Sequence, residues 1–228
     1  MSSRQEGVSV EPVAHSGTVA AGPGSGTGAS LPQASGTRSG RPRVTSRAEL
    51  ERLGFELFAG QGFDATTVED IARSAGIGRR TFFRYFASKN DLVWGDFEQQ
   101  LVGFRDLLNT MDPEVPVVDA LREAVVEFNR FDDTVVPWHR QRMQLILSVP
   151  ALQADATLRY YSWRRIVAEF TARRMGLAPS DMLPRFFGHA ALAAAIAAYE
   201  HWLADEDACL AELLDRLMRQ LADGLGAL

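Results

Sequence analysis

One stretch, "TTVEDIARSAGIGRRTFFRYF" from Thr66 to Phe86, limits what this chain can fold into more than any other. Thr66 followed by Glu69 has the form of a capping box, and Val68, Ile71, Ala72 and Ala75 recur at helical spacing before Gly76. The pattern predicts a short helix with defined ends. A turn of Gly76, Ile77 and Gly78 then leads directly into "RRTFFRYF", where cations and rings are interleaved. Isolated helices below ~12 residues are marginal in water, so some of those rings must serve as anchors. If residues 79–86 are helical, Phe82 and Phe86 fall one turn apart and pack against Leu57, Phe58 and Ile71. Arg80 and Arg84 then share a second face, and Thr81 and Tyr85 a third. Two short helices joined by a glycine turn, with small Ala72 at their crossing, make a helix-turn-helix.

The charges divide in the same place. From Arg41 to Lys89 there are nine Lys and Arg against six Asp and Glu; beyond Lys89 there are thirteen against twenty-one, and the whole chain carries −5. A basic module for a polyanion joined to an acidic module with another task fits this split. Arginine's planar fork binds two acceptors at once, either phosphate oxygens or O6 and N7 of guanine, so double-stranded DNA is the expected partner of Arg79, Arg80 and Arg84. Lys89, the chain's single lysine, is placed to donate to a phosphate. Gly78, Thr66, Thr67, Thr81, Phe83 and Tyr85 complete the expected contact surface, Phe83 as a packing or thymine-methyl contact. Residues 1–40, rich in Gly, Ser, Ala, Thr and Pro, read as a disordered tail that ends in a basic arm carrying Arg41 and Arg43.

The remainder is helical, giving an all-α chain: residues 41–90 the helix-turn-helix domain, with a first helix from Arg47, and residues 91–228 a second helical domain. Helices are expected over Asp91–Asn109, Pro116–Asp132, Trp138–Val149, Ala151–Met175, Leu183–Ala204 and Ala208–Ala222, punctuated by Pro113, Pro116, Pro137, Pro150 and Pro179. No apolar run is long enough for a membrane span and the N-terminus lacks a charged-then-apolar export signal, so the cytoplasm is the expected location. Cys209 is the sole cysteine and the four histidines are scattered, so neither a disulfide nor a zinc framework is expected. No phosphate loop, nucleophile elbow or paired histidines are present, so no catalytic residue and no cofactor is assigned. A helical lipid or acyl carrier, or an enzyme built from the acidic half, is the rival reading.

The run "RAELERLGFELFAGQGFDATTVEDIARSAGIGRRTFFRYFASKNDL", Arg47 to Leu92, resembles the DNA-binding domain of the TetR family of bacterial transcriptional regulators. In that family the position of Phe83 is usually a tyrosine whose hydroxyl binds phosphate, a bond this chain lacks, which shifts the expected backbone contact to Tyr85, Thr81 and Lys89. The runs "RYYSWRRIVAEFTARRMGL" and "HAALAAAIAAYEHWLADE" are similar to the regulators associated with mycofactocin gene clusters in actinobacteria. The resemblance implies a homodimer whose C-terminal domain binds a small molecule that relieves repression.

An effector pocket in such a fold lies between the first helices of the second domain. Trp94, Phe97, Phe128, Trp138 and Trp163 are its expected apolar lining, with Asn129, His139, Arg142 and Tyr160 to orient a head group. A largely apolar molecule with a polar or anionic head, such as an acyl-CoA, suits that content. The last two helices carry small residues and a leucine stripe, so Leu192, Ile196, Tyr199, Trp202, Leu213 and Leu217 are expected to pair with a second copy as a four-helix bundle.

Overall fold

The computed structural model describes residues 45–225, among which there are ten α-helices and no strand. The expected N-terminal tail, together with Arg41 and Arg43, lies outside the described residues. Helix α1 (Arg47–Gln61) starts at Ser46, whose hydroxyl accepts the Glu49 N–H at 3.1 Å. Helix α2 (Val68–Ser74) is capped one residue later than the sequence pattern predicts. Thr67, with Asp70, forms the reciprocal box, because Thr66 is turned inward and its hydroxyl donates to the Gly62 carbonyl at 2.7 Å.

Helix α3 is a single turn, Arg79–Phe82, shorter than the expected 79–86. The chain continues as tight turns, yet Phe86 N–H still bonds the Phe82 carbonyl at 3.1 Å, so the one-turn spacing of the two rings survives. Phe82 and Phe86 are both buried, as are Phe58 and Ile71, and all four belong to one apolar cluster. At roughly 1.5–3 kcal/mol for each fully buried large side chain, this packing supplies what so short a helix lacks.

The single helix expected over Asp91–Asn109 is divided into α4 (Lys89–Trp94) and α5 (Phe97–Thr110). The joint is Gly95, at φ 59, and a Cβ there would stand 2.6 Å from Arg142 Nη1. Only glycine meets both requirements. Helices α6 (Val117–Phe128) and α7 (Val136–Ser148) follow. The long α8 (Pro150–Met175) opens on a proline and stops at left-handed Gly176; α9 (Met182–Ala204) and α10 (Leu210–Leu225) complete the chain.

Two apolar clusters result. The first runs from α1–α4 into α7 and α8 through Trp94, Ile146, Leu152 and Ala156, so the helix-turn-helix shares its core with the second domain. The second is enclosed by α5, α6, α8, α9 and α10, where Phe104 and Trp163 stack at 5.3 Å and Leu214 and Met218 are fully buried. Among the described residues no helix is long and apolar enough to cross a membrane.

Helices α8 and α9 pack closely because Gly188 faces the backbone of α8. A Cβ at that position would lie 2.7 Å from the Arg164 carbonyl oxygen, an atom that cannot rotate away. Gly188→Ala should therefore destabilise the fold by about 1–3 kcal/mol, read as a lower urea midpoint with an unchanged m-value.

Candidate nucleic-acid interface and internal cavity

Burial of Phe82 and Phe86 dictates what the same turn exposes. Arg80 and Arg84 stand in solvent, and neither guanidinium has an ion pair or hydrogen bond among the described residues. Thr81 is half-buried beside them and Gly78 is exposed at the start of the turn. Arg79 is partly committed: it pairs with Glu69 of α2 at 2.7 Å and lies 5.4 Å from the centre of the Phe83 ring. Phe83 is exposed and packs edge-on against Phe82 at 5.6 Å, an apolar plate at the rim of a cationic face.

Four of the residues expected on this surface are held from within. Thr66 is buried, with its hydroxyl bonded to Gly62. The Thr67 hydroxyl is engaged by Asp70 as the helix cap. The Tyr85 hydroxyl donates to the Thr45 carbonyl at 2.8 Å, tying the reading segment to the chain just ahead of α1. Lys89 does not stand free for phosphate: its Nζ donates to the carbonyls of Phe63 and Thr66 at 2.6 and 2.8 Å and sits 4.0 Å from the Phe63 ring centre. Partial burial lowers its pKa. The lysine thus fastens the α1–α2 turn to the start of α4, an inward role that spacing could not reveal.

A cavity of about 80 Å³ lies between helices α4 to α9. Trp94, Phe97, Phe128, Asn129, His139, Arg142, Tyr160 and Trp163 all line it. Trp138 does not: its ring lies 4.4 Å from that of Phe55 on α1, in the cluster beneath the helix-turn-helix. Sequence reasoning missed Gln100, Ile146, Leu147 and Ala195, which reach the wall from helix faces whose orientation depends on the packing.

Three residues expected at a dimer interface, Leu192, Ile196 and Tyr199, line the same cavity. Trp202 is buried beneath the Arg140 guanidinium, 4.2 Å away, while Leu213 is buried and Leu217 packs on the second cluster. Leu192, Tyr199, Trp202 and Leu213 are thus buried within one protomer, whereas Ile196 and Leu217 remain partly exposed.

The cavity's polar groups are largely neutral and mutually satisfied. Tyr199 Oη donates to Asn129 Oδ1 at 2.6 Å, Asn129 Nδ2 donates to the Val125 carbonyl, and His139 Nε2 lies 2.9 Å from the Tyr199 oxygen. With the tyrosine proton directed at Asn129, the histidine carries its own on Nε2 and donates. Phe131 stacks on His139 at 3.8 Å. Burial, aided by the charge of Arg142, pulls the His139 pKa down to about 3, and burial pushes Tyr160 up to about 12 and Tyr199 higher still.

The histidine is therefore neutral in the folded chain at any physiological pH, whereas in the unfolded chain it titrates near the ordinary 6.5. Below that pH the unfolded state binds the extra proton, so folding stability should fall as pH drops from 6.5 towards 3, by up to about 1.4 kcal/mol per pH unit from this one residue. Thermal unfolding across that window should show a shallower loss in His139→Gln than in the wild type; equal slopes would place the acid sensitivity elsewhere.

Residues 52–93 match the model of the bacterial regulatory proteins of the tetR family, and residues 115–226 match that of the MftR C-terminal domain. The chain is 43% identical over 192 residues to the mycofactocin biosynthesis transcriptional regulator MftR of Mycobacterium tuberculosis, covering 84% of this chain and 97% of that protein. It is 30% identical over 164 residues to the regulator TcmR of Streptomyces glaucescens, covering 69% and 72% respectively. Among solved structures it shares its fold with the TetR-family repressor FadR of Thermus thermophilus in complex with lauroyl-CoA, with a TM-score of 0.51, 23% identity, and coverage of 79% of this chain and 95% of that one. An exposed arginine pair on a buried aromatic footing, an all-helical body around a cavity and these matches lead to one conclusion: the chain belongs to the TetR family of ligand-responsive, helix-turn-helix transcriptional regulators, with a C-terminal half of the MftR type.

Proposed function

We propose that two copies of this chain set their Arg80 and Arg84 faces into successive major grooves, about 34 Å apart, of a palindromic operator in the cytoplasm, and that a hydrophobic small molecule in the cavity releases them. The observation that carries this reading is that, among the described residues, Arg80 and Arg84 are unpaired on a turn whose rings are buried. Many other arginines are paired, as in Arg52 with Glu49, Arg122 with Asp215 and Arg159 with Asp91. Arg185 and Arg216, exposed and without partners among the described residues, lie far along the chain from any aromatic-anchored turn. Two neighbouring guanidiniums left without carboxylates suit an external polyanion. Arg79, Thr81, Gly78 and Phe83 border that contact, while Lys89, Thr66, Thr67 and Tyr85 support it from within.

Dimer pairing falls to the side of α9 that its own protomer leaves open. Phe186, His189, Ala193 and Ala197 form an exposed stripe along that helix, and its small residues permit a second helix to approach closely. For the effector, a fatty acyl thioester is the favoured class: the cavity wall is mostly aromatic and aliphatic, and the fold is that of a repressor solved with lauroyl-CoA. Ligand pockets commonly measure roughly 300–1,000 Å³, so about 80 Å³ has to widen before a long chain can enter. Widening moves α4, which contributes Trp94 and directly follows the reading segment, and a ligand that prefers the widened state by about 10⁴-fold would invert a 99:1 population.

Gel shift and fluorescence anisotropy with DNA from upstream of the chain's own reading frame test the reading. Arg84→Ala should weaken the specific complex by about 1–3 kcal/mol if it reads guanine, and equal affinity for scrambled DNA would refute sequence-selective regulation. Ala193→Glu should shift the protein to monomer in sedimentation velocity and weaken operator binding with it. Persistence of the dimer would move the interface off this stripe.

A further inference from the structure

Two residues of the cavity wall, Trp94 and Arg142, each carry a buried N–H, Nε1–H and Nε–H, that has no acceptor among the described residues. They differ from the His139–Tyr199–Asn129 group, whose hydrogen bonds are closed on one another. A buried N–H left without a partner costs on the order of 1–3 kcal/mol, and a ligand that supplies an acceptor recovers it. Arg142 also brings a positive charge, so the acceptor of best fit is an oxygen bearing negative charge.

Arg142 has a second set of contacts, on the side of the helix-turn-helix. Its Nη2 lies 2.8 Å from Glu51 Oε2 of α1, with both side chains about 15% exposed. Its Nη1 fills the space beside Gly95, the joint between α4 and α5. Glu51 in turn lies 3.7 Å from Nε of Arg47. Arg47 donates to the carbonyls of Tyr85 at 2.7 Å and Gly95 at 3.0 Å, pairs with Asp96 at 3.0 Å, and lies 4.2 Å from the centre of the Phe86 ring. One unbroken set of contacts thus runs from the cavity, through Arg142, Glu51 and Arg47, to the end of the reading segment.

The Arg142–Glu51 pair is suited to exchange. Burial raises the Glu51 pKa in spite of two arginines beside it, so desolvation offsets much of the attraction. A competing anion on the cavity side has to overcome only the remainder.

Resting on the reading of the cavity as the effector site, we propose that the effector is an amphiphile whose oxygen acceptor binds Arg142 Nε and Trp94 Nε1, and that it releases DNA by drawing Arg142 away from Glu51. Freed of Arg142, Glu51 turns fully to Arg47, whose hold on Tyr85 and Gly95 loosens. The reading segment and α4 then lose their common anchor. Arg142 and Glu51 act here as positioning residues for the DNA contact, and neither touches the operator.

The test uses the full-length protein with three chain-matched probes: decanoate, S-ethyl thiodecanoate and decylammonium. Binding is followed by tryptophan fluorescence, and the operator Kd is measured by anisotropy with and without each probe. Decanoate or the thioester, the two acceptor-bearing forms, should bind and raise the operator Kd at least tenfold, and comparison of the two identifies which form the site takes. Decylammonium, which has no acceptor, should bind more weakly; equal binding by all three overturns the assignment of Arg142 and Trp94.

In Glu51→Gln the effective probe should bind at least as tightly as in the wild type, while its effect on operator Kd drops below threefold. Because coupling is reciprocal, the probe's own Kd should likewise become less sensitive to operator. A wild-type coupling factor retained in Glu51→Gln overturns the relay while leaving the regulator reading intact. Failure of the wild type to bind operator overturns the regulator reading itself. A measurement without mutation guards against misfolding of the variant: the Trp94 indole proton should shift downfield in the NMR spectrum of the wild type when the acceptor probe binds, and an unmoved resonance contradicts the proposed contact.

Discussion

A reading helix of four residues cannot hold itself in water, and the rest of this structure is arranged around that fact. Phe82 and Phe86 lie in an apolar cluster that extends through Leu92, Val93 and Trp94 into Ile146 of α7 and Leu152 of α8. The arginine-bearing surface and the wall that faces the cavity are consequently parts of one packed body. Close-packed interiors transmit displacement because they have few voids in which to absorb it. Trp94 makes the point concretely: it closes the cluster under the helix-turn-helix and lines the cavity on the other side.

Arginine is used here in three physically distinct ways. Arg52, Arg73 and Arg130 form exposed ion pairs within a helix or beside one, and such pairs add little to stability. Arg47, Arg142 and Arg159 are largely covered and reach across elements, Arg159 pairing with Asp91 at 2.6 Å and lying over Trp94. These set the position of α4 relative to α1, α7 and α8. Arg80 and Arg84 belong to neither group: they stand exposed and, among the described residues, without partners, on the turn that buries Phe82 and Phe86.

The cavity shows the same economy with polarity. His139, Tyr199 and Asn129 are buried but bonded to one another, which fixes their orientation and keeps them uncharged. A site of this kind accepts an apolar body without leaving its polar groups unsatisfied. Charge enters only at Arg142, where the wall meets the contacts to α1. Stereochemistry at that junction is further narrowed by Gly95, whose positive φ of 59 strains any other residue and which lies close to the guanidinium.

What the sequence determined was local: helical class, the presence of a short α2 though not its exact cap, and the division of the 79–86 segment into buried Phe82 and Phe86 and exposed Arg80 and Arg84 all follow from 3.6-residue periodicity. Residue type also marked most of the cavity wall, because large aromatic and polar side chains in one helical region tend to converge. Tertiary structure decided everything that depends on which neighbour covers a side chain. Lys89 found the carbonyls of Phe63 and Thr66 instead of solvent, Trp138 packed at a tilt against Phe55, and Tyr199 and Trp202 turned into the protomer. Hydrophobic pattern states that such a residue is buried without stating against what. The pairing of Arg142 with Glu51 spans 91 positions, a distance over which no periodicity carries information, and only the packing of α7 on α1 brings the two charges together.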